Sequence, residues 1–287
     1  MLNVIAQFYE DKDPGRALEL EECLRRNLDC PWVSSVHQLA EAQTVLPEWA
    51  RSHPKLVKHR VEGRLTYAGA FAYANLHLQG KTACLMNADT FVDPLSSWRE
   101  IRDLDPRFVL CQSRHDLQSD GSLKMSTSLI KGFGAVSQDA WIWRSPLSVP
   151  NADFELGRLG CDNAIAHRFK AAGYVLLNRG SVLKIGHIDR CRGKDEVGTV
   201  AYHTAHEGKD IQRPAAHGWA LVPDMHLVPP PEVLLEKLPS SALQKYMLSA
   251  EILSTLWEPT EEVIRQPETP ALKTQEKSGT KPKTNAA

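Results

Sequence analysis

The sequence is short of several things, and each shortage removes a class of function. It has no basic surplus: 34 Lys and Arg stand against 35 Asp and Glu, for a formal net charge of −1. A protein that grips nucleic acid through its phosphates usually carries such a surplus, so no nucleic-acid partner is expected. No apolar run approaches the roughly 20 residues that span a bilayer, so no transmembrane segment is expected. The six cysteines, at positions 23, 30, 84, 111, 161 and 191, include no C-x-x-C pair. In a chain of 287 residues they read as reduced thiols, not as a disulfide framework. The first residues, Met1-Leu2-Asn3-Val4-Ile5, carry no basic stretch ahead of their apolar run. That argues against a signal peptide, and a cytoplasmic location is the expectation.

What is present is an ordinary globular composition, with 42% hydrophobic and 24% charged residues, long enough for one large core. Strand-like runs at residues 2–8, 31–36, 56–61, 81–87 and 108–112 alternate with helical patterns. Asp13-Pro14 supplies an N-cap and first helical residue, and Ala17, Leu20, Leu24 and Leu28 then mark one helical face. Residues 66–78 form a small-residue helix fitted to pack on a sheet, and residues 96–104 a short one. Alternation of this kind means an α/β fold with a mostly parallel sheet flanked by helices. Further on, a glycine loop (Gly132-Phe133-Gly134) leads into a strand bearing Trp141 and Trp143. A helix opens at Cys161-Asp162-Asn163 and closes at Gly173. Late strands are expected at 174–177 and 182–185. Residues 241–257 carry Leu243, Met247, Leu253 and Trp257 at helical spacing. The tail has too few apolar residues to fold. The expected plan is a domain over 1–230, a helical extension over 231–258 and a disordered tail over 259–287.

The segment Ala83-Cys84-Leu85-Met86-Asn87-Ala88-Asp89 ends a buried strand on a carboxylate. In open α/β sheets ligands sit just beyond the carboxyl ends of the strands. Asp89 there is either a turn cap or a holder of a hard divalent cation that also touches substrate phosphates. The glycine loop is not followed by Gly-Lys-Ser/Thr, so it is no phosphate-binding P-loop; its glycines either let backbone approach an acceptor or simply turn.

Four features fall in a recognisable order. They are Asn87-Ala88-Asp89, the glycine loop into Ser137-Gln138-Asp139-Ala140-Trp141, Gly160-Cys161-Asp162-Asn163 before a helix, and Gly186-His187-Ile188-Asp189 after a late strand. Over residues 2–190 this order resembles the GT-A class of nucleotide-sugar-dependent glycosyltransferases, in particular a group of bacterial and viral sequences. The resemblance implies a GT-A-like α/β fold, a nucleotide-sugar donor, a glycan or other hydroxyl acceptor, and Mn²⁺ or Mg²⁺. It places metal ligation on Asp89 and His187, a base or acceptor contact on Asp162, and donor or acceptor contacts on Asn87, Gly134 and Asn163. Asn87 stands where the class carries the first carboxylate of its D-x-D motif; an amide oxygen still ligates a hard cation but brings no charge.

Each residue has a plainer reading beside it. Asp162 is equally an N-cap, and His187 a polar loop residue. Trp141 belongs to the core or to a sugar-stacking platform. Arg64 pairs with phosphate or with solvent. Gln7 and Tyr9, at the end of the first strand, frame a nucleobase only by analogy of fold. His203 and His206 with Cys191 make a weak zinc signal, lacking a fourth ligand. A sugar-nucleotide nucleotidyltransferase is disfavoured because the first strand runs into Tyr9-Glu10-Asp11-Lys12-Asp13, acidic and free of glycine. A non-catalytic sugar- or nucleotide-binding module is the other alternative, motivated by Asn87.

Overall fold

The computed structural model describes residues 1–125, 138–158, 160–190 and Val222. Gly134 and its loop, Cys191, His203, His206, the helix expected over 241–257 and the tail lie outside the described residues, as do both boundaries of the expected domain plan.

The expected mixed α/β sheet forms. Strands β1 (Leu2–Ala6), β2 (Val33–Glu41), β3 (Leu56–Val61) and β4 (Thr82–Met86) run parallel in the spatial order β3-β2-β1-β4. Beside β4 the sheet continues through β8 (Gln138–Arg144) to β6 (Phe108–Leu117), β10 (Ile185–His187) and β5 (Thr90–Val92), with β8 and β5 antiparallel to their neighbours. β7 (Leu123–Met125) and β9 (Val175–Leu177) attach to β6.

Both faces of the sheet are covered, which is why β1 and β4 are buried at every position and mostly apolar, with only Asn3 and Thr82 polar among them. Successive side chains still divide between the faces. Ala83, Leu85, Trp141 and Trp143 pack with α3 (Tyr67–His77) and α4 (Cys161–Ala171). Cys84, Met86, Ala140 and Ile142 pack with Leu20, Leu24 and Leu28 of α1 (Pro14–Asp29). The start of α1 is the one its sequence announces, with Asp13 accepting from the backbone N–H groups of Gly15 and Arg16. Thr66 caps α3 in the same way.

Some elements differ from expectation. β2 and β6 extend well past their expected ends, and the helix expected over 96–104 is a 3-10 turn (Trp98–Ile101). The short helix α2 (Glu48–Arg51), β5 and β7 carry too few residues to show a period. The late strand expected at 182–185 lies instead at Ile185–His187. A glycine at its centre hides it, since glycine adds no side chain to the pattern. Helix α4 starts at a Gly160 N-cap, so Asp162 is the second residue of the helix and not its cap.

Gly186 pairs with Phe91 across β10 and β5. A Cβ at Gly186 would collide with the Phe91 ring. Gly186→Ala is expected to cost about 1–3 kcal/mol by overpacking, and Phe91→Leu to recover part of that loss in the double variant. Denaturant melts of the three variants check this; additive effects would show that the two residues do not share the space.

Candidate functional site

The strand order reverses beside β1: the chain moves to β2 and β3 on one side and returns to β4 on the other. A crevice outside the carboxyl ends of the strands belongs at that switch point. Asn87-Ala88-Asp89 leaves β4 there and turns into β5, with Thr90 N–H and its hydroxyl both donating to the Asn87 carbonyl. Sheet register then brings in the rest. β5 pairs with β10 so that Thr90 lies opposite His187, and the Ile188 N–H donates to the Asp89 carbonyl at 3.0 Å. On the other side β10 pairs with β6, placing His187 opposite Asp116.

These pairings assemble a line of alternating charge across five elements. Arg16, on the first turn of α1, gives Nη1 to Glu19 at 2.9 Å and to the Ile188 carbonyl at 3.1 Å, and gives Nη2 to Asp89 Oδ2. His187 Nε2 stands 3.5 Å from the same Asp89 oxygen, while Nδ1 lies 2.9 Å from Asp116 Oδ1. Arg114 of β6 follows, with Nε 3.5 Å from Asp116 and Nη1 3.2 Å from Asp139 of β8. Asn87 closes the line by donating Nδ2 to Asp139 Oδ1 at 2.6 Å. Arg16, Glu19 and His187 are all buried.

The charge states follow from these contacts. Burial alone would raise the Asp89 carboxyl, but the hydrogen bond and charge of His187 and those of Arg16 hold it well below the usual carboxylate range. Burial alone would lower His187; its bonds to Asp116 and Asp89 outweigh that and push it up to about 9. For Asp116, burial again opposes, and His187 with Arg114 carries the carboxyl downward. The Asp139 charge, against the opposing effect of burial, raises Arg114.

Of the residues singled out from the sequence, Asp89, His187 and Asn87 come together on this line. His187 is therefore no polar loop residue: it is buried at the end of a strand between two carboxylates. Asp162 lies close by, its Oδ2 accepting from the Gln138 N–H at 3.2 Å, next in sequence to Asp139. Asn163 follows it, half-buried in the first turn of α4. Arg64 is solvent-exposed, and from the surface it donates to the carbonyls of Leu156 (3.1 Å) and Gly157 (3.3 Å), strapping that segment down. Gly157, at φ +72°, passes so close that a Cβ would lie 3.0 Å from Arg64 Nη2 and 3.9 Å from Asn87 Oδ1.

Gln7 is occupied by backbone, donating to the Gly63 carbonyl at 3.0 Å and accepting from Leu65 N–H at 2.8 Å. Tyr9 is half-exposed on a cavity of about 280 Å³ that it shares with Phe8, Ala17, Val45 and Leu46. Trp141 cannot stack on a sugar where it is: its ring is wholly buried, edge-on to Tyr67 at 5.0 Å between centroids. Arg16, Glu19, Asp116 and Arg114 join the site without having been singled out from the sequence, where Asp139 figures only within its motif and as a base second to Asp162. Arg16 alone had a local signal, a cation on the first turn of the helix after β1, where a helix dipole disfavours it.

Among the described residues no three His, Cys, Asp or Glu side chains converge to hold a metal ion. Asp89 and His187 nonetheless fit two positions of one shell. Their donor atoms are adjacent, and Asp116 on Nδ1 is the carboxylate partner that metal-bound histidines usually have. A cation there would take the rest of its oxygens from ligand and water, as Mg²⁺ commonly does.

Without added metal, stability should respond to His187. A folded-state pKa raised above its ordinary 6.5 stabilises the fold fully below about 6.5, and that contribution is lost as pH rises through about 9. Melting temperature measured in chelator should fall across this window, and His187→Gln should flatten the fall. An equal decline in both proteins would assign it elsewhere.

No protein-family model matches this chain, and no curated protein matches it significantly. Among solved structures it is similar to GalNAc-T7 crystallised with UDP, GalNAc and Mn²⁺, at 13% identity and a TM-score of 0.43, over 67% of this chain and 44% of that one. It is also similar to HddC from Yersinia pseudotuberculosis, at 13% identity and a TM-score of 0.32, over 55% of this chain and 85% of that one. This chain thus spans less than half the length of the GalNAc-T7 chain. At these values neither likeness bears on chemistry, and the α/β architecture rests on the sheet described above.

Proposed function

We propose that this chain moves a sugar from a nucleotide-diphosphate-sugar donor to an acceptor hydroxyl, on a GT-A-type site that uses Mn²⁺ or Mg²⁺. One observation carries the reading. Asp89 and His187, from distant parts of the sequence, stand 3.5 Å apart beyond the strand ends, with Asp116 behind the imidazole.

In such a transfer negative charge builds on the leaving diphosphate, and a bound divalent cation offsets it. Asp89 and the neutral form of His187 are the residues that would hold the cation. Asp116 accepts the Nδ1 proton and so directs the Nε2 lone pair toward Asp89. Asp139 orients the Asn87 amide by accepting from its nitrogen, which leaves the amide oxygen facing the Gly157 segment. Arg64 fixes that segment over the site, and Tyr9 stands at the end of β1 where a donor base would lie. Asp162 takes the proton of the acceptor hydroxyl, as a positioned general base.

Calorimetric titration of a nucleoside diphosphate tests the metal role. Affinity should be higher with Mn²⁺ than in EDTA, and Asp89→Ala should remove the difference; equal affinity in the unaltered chain would remove the cation from the site.

Asp162→Asn separates helix from chemistry. Because Gly160 holds the cap position and an Asn oxygen still accepts from the Gln138 N–H, the change removes the charge, whose interaction with the helix dipole is about 0.3–1 kcal/mol, and keeps an acceptor in place. Transfer should drop at least about a hundredfold while diphosphate affinity holds. Turnover within a few-fold of the unaltered chain would leave Asp162 a structural residue.

A further inference from the structure

Asp89 Oδ2 serves two cations at once. It accepts from Arg16 Nη2 and faces His187 Nε2 at 3.5 Å. A divalent cation lying between Asp89 and His187 would draw on that same oxygen. Arg16 is also not a surface residue that happens to reach in. It is 4% exposed, on the first turn of α1, and its other terminal nitrogen is held by Glu19 and by the Ile188 carbonyl. Glu19, equally buried, accepts in turn from the Arg190 N–H. The two nitrogens thus have separate duties: Nη1 ties the guanidinium into α1 and the end of β10, and Nη2 alone meets Asp89.

We propose that Arg16 is the internal counter-ion of the cation position. It neutralises Asp89 when no cation is bound and competes with a divalent cation for Oδ2. Once displaced, it offers Nη2 to the diphosphate of the donor. This rests on the metal reading given above. The anchoring by Nη1 is what makes the exchange feasible, since Arg16 changes one partner without leaving its place. A guanidinium suits either partner, because its N–H fork matches carboxylate and phosphate alike. Metal alone must break a charge-assisted hydrogen bond with nothing given back, so it binds weakly. Metal with diphosphate gives the released N–H groups a new anion, so the two ligands bind as a pair.

Mn²⁺ binding followed by electron paramagnetic resonance tests this without any measurement of activity. The unaltered chain is compared with Arg16→Gln and with Arg16→Gln/Glu19→Gln. The double variant removes both members of the buried pair and carries the measurement if the lone Glu19 carboxylate unfolds the single one. Mn²⁺ alone should bind the variants at least about tenfold more tightly than the unaltered chain, the scale of one charge-assisted hydrogen bond. Pyrophosphate, corrected for its own Mn²⁺ binding, should strengthen Mn²⁺ binding to the unaltered chain far more than to the variants. Equal or weaker Mn²⁺ binding by the folded variants overturns the counter-ion role while leaving the metal reading in place. Failure of every protein to bind Mn²⁺, with or without pyrophosphate, overturns both.

Discussion

The Asp89 carboxylate is largely withdrawn from water, and a charge in that position persists only where opposite charge meets it. Two cations do so, and each creates the same demand again. Arg16 is balanced by Glu19 as well as Asp89, and His187 by Asp116 as well as Asp89. Arg114 then links Asp116 to Asp139, which holds Asn87. One buried anion thereby ties α1, the β4–β5 turn, β10, β6 and β8 together at one end of the sheet. Loss of a single partner from such a pair costs about 3–5 kcal/mol, because the remaining charge stays buried.

The same line explains why the site is organised before any ligand arrives. His187 is held by both ring nitrogens, so its orientation is set by Asp116 and Asp89 and not by solvent. Asn87 is held by its amide nitrogen, which orients its oxygen. Arg64 and Gly157 bring a further segment against Asn87 and lead from it into α4, where Asp162 contacts the start of β8. Reorganisation of these groups during a reaction would be small, which is the condition under which fixed dipoles and charges stabilise a transition state well.

Part of this was legible along the chain. Asp89 is visible because an apolar strand ends abruptly beside it, and Asp162 because a helix opens at it. His187 is marked along the chain only by the resemblance that the order of motifs carries, and its strand escapes the pattern because Gly186 interrupts a three-residue element. Trp141 shows the limit of pattern alone. An aromatic alternating along a strand has one face to occupy, and only the packing of Tyr67 and α3 decides that the face is core. Asp116 and Arg114 stand in the sequence as ordinary polar residues with nothing nearby to mark them, and Arg16 is marked only as a cation on a first helical turn.

The sequence by itself determined the kinds of element and their burial. Asp13 with Pro14 starts α1, Thr66 starts α3, and the mostly apolar strands β1 and β4 require cover on both faces. These are local effects, decided within one turn of helix or by the two-residue period of a strand. Only the tertiary structure decided which charges meet. His187 lies between Asp89 and Asp116 because β10 pairs with β5 on one side and β6 on the other, and a one-residue slip in either register would turn its side chain to the opposite face. Register is settled by packing between segments far apart in the chain, so no stretch of sequence read alone contains it.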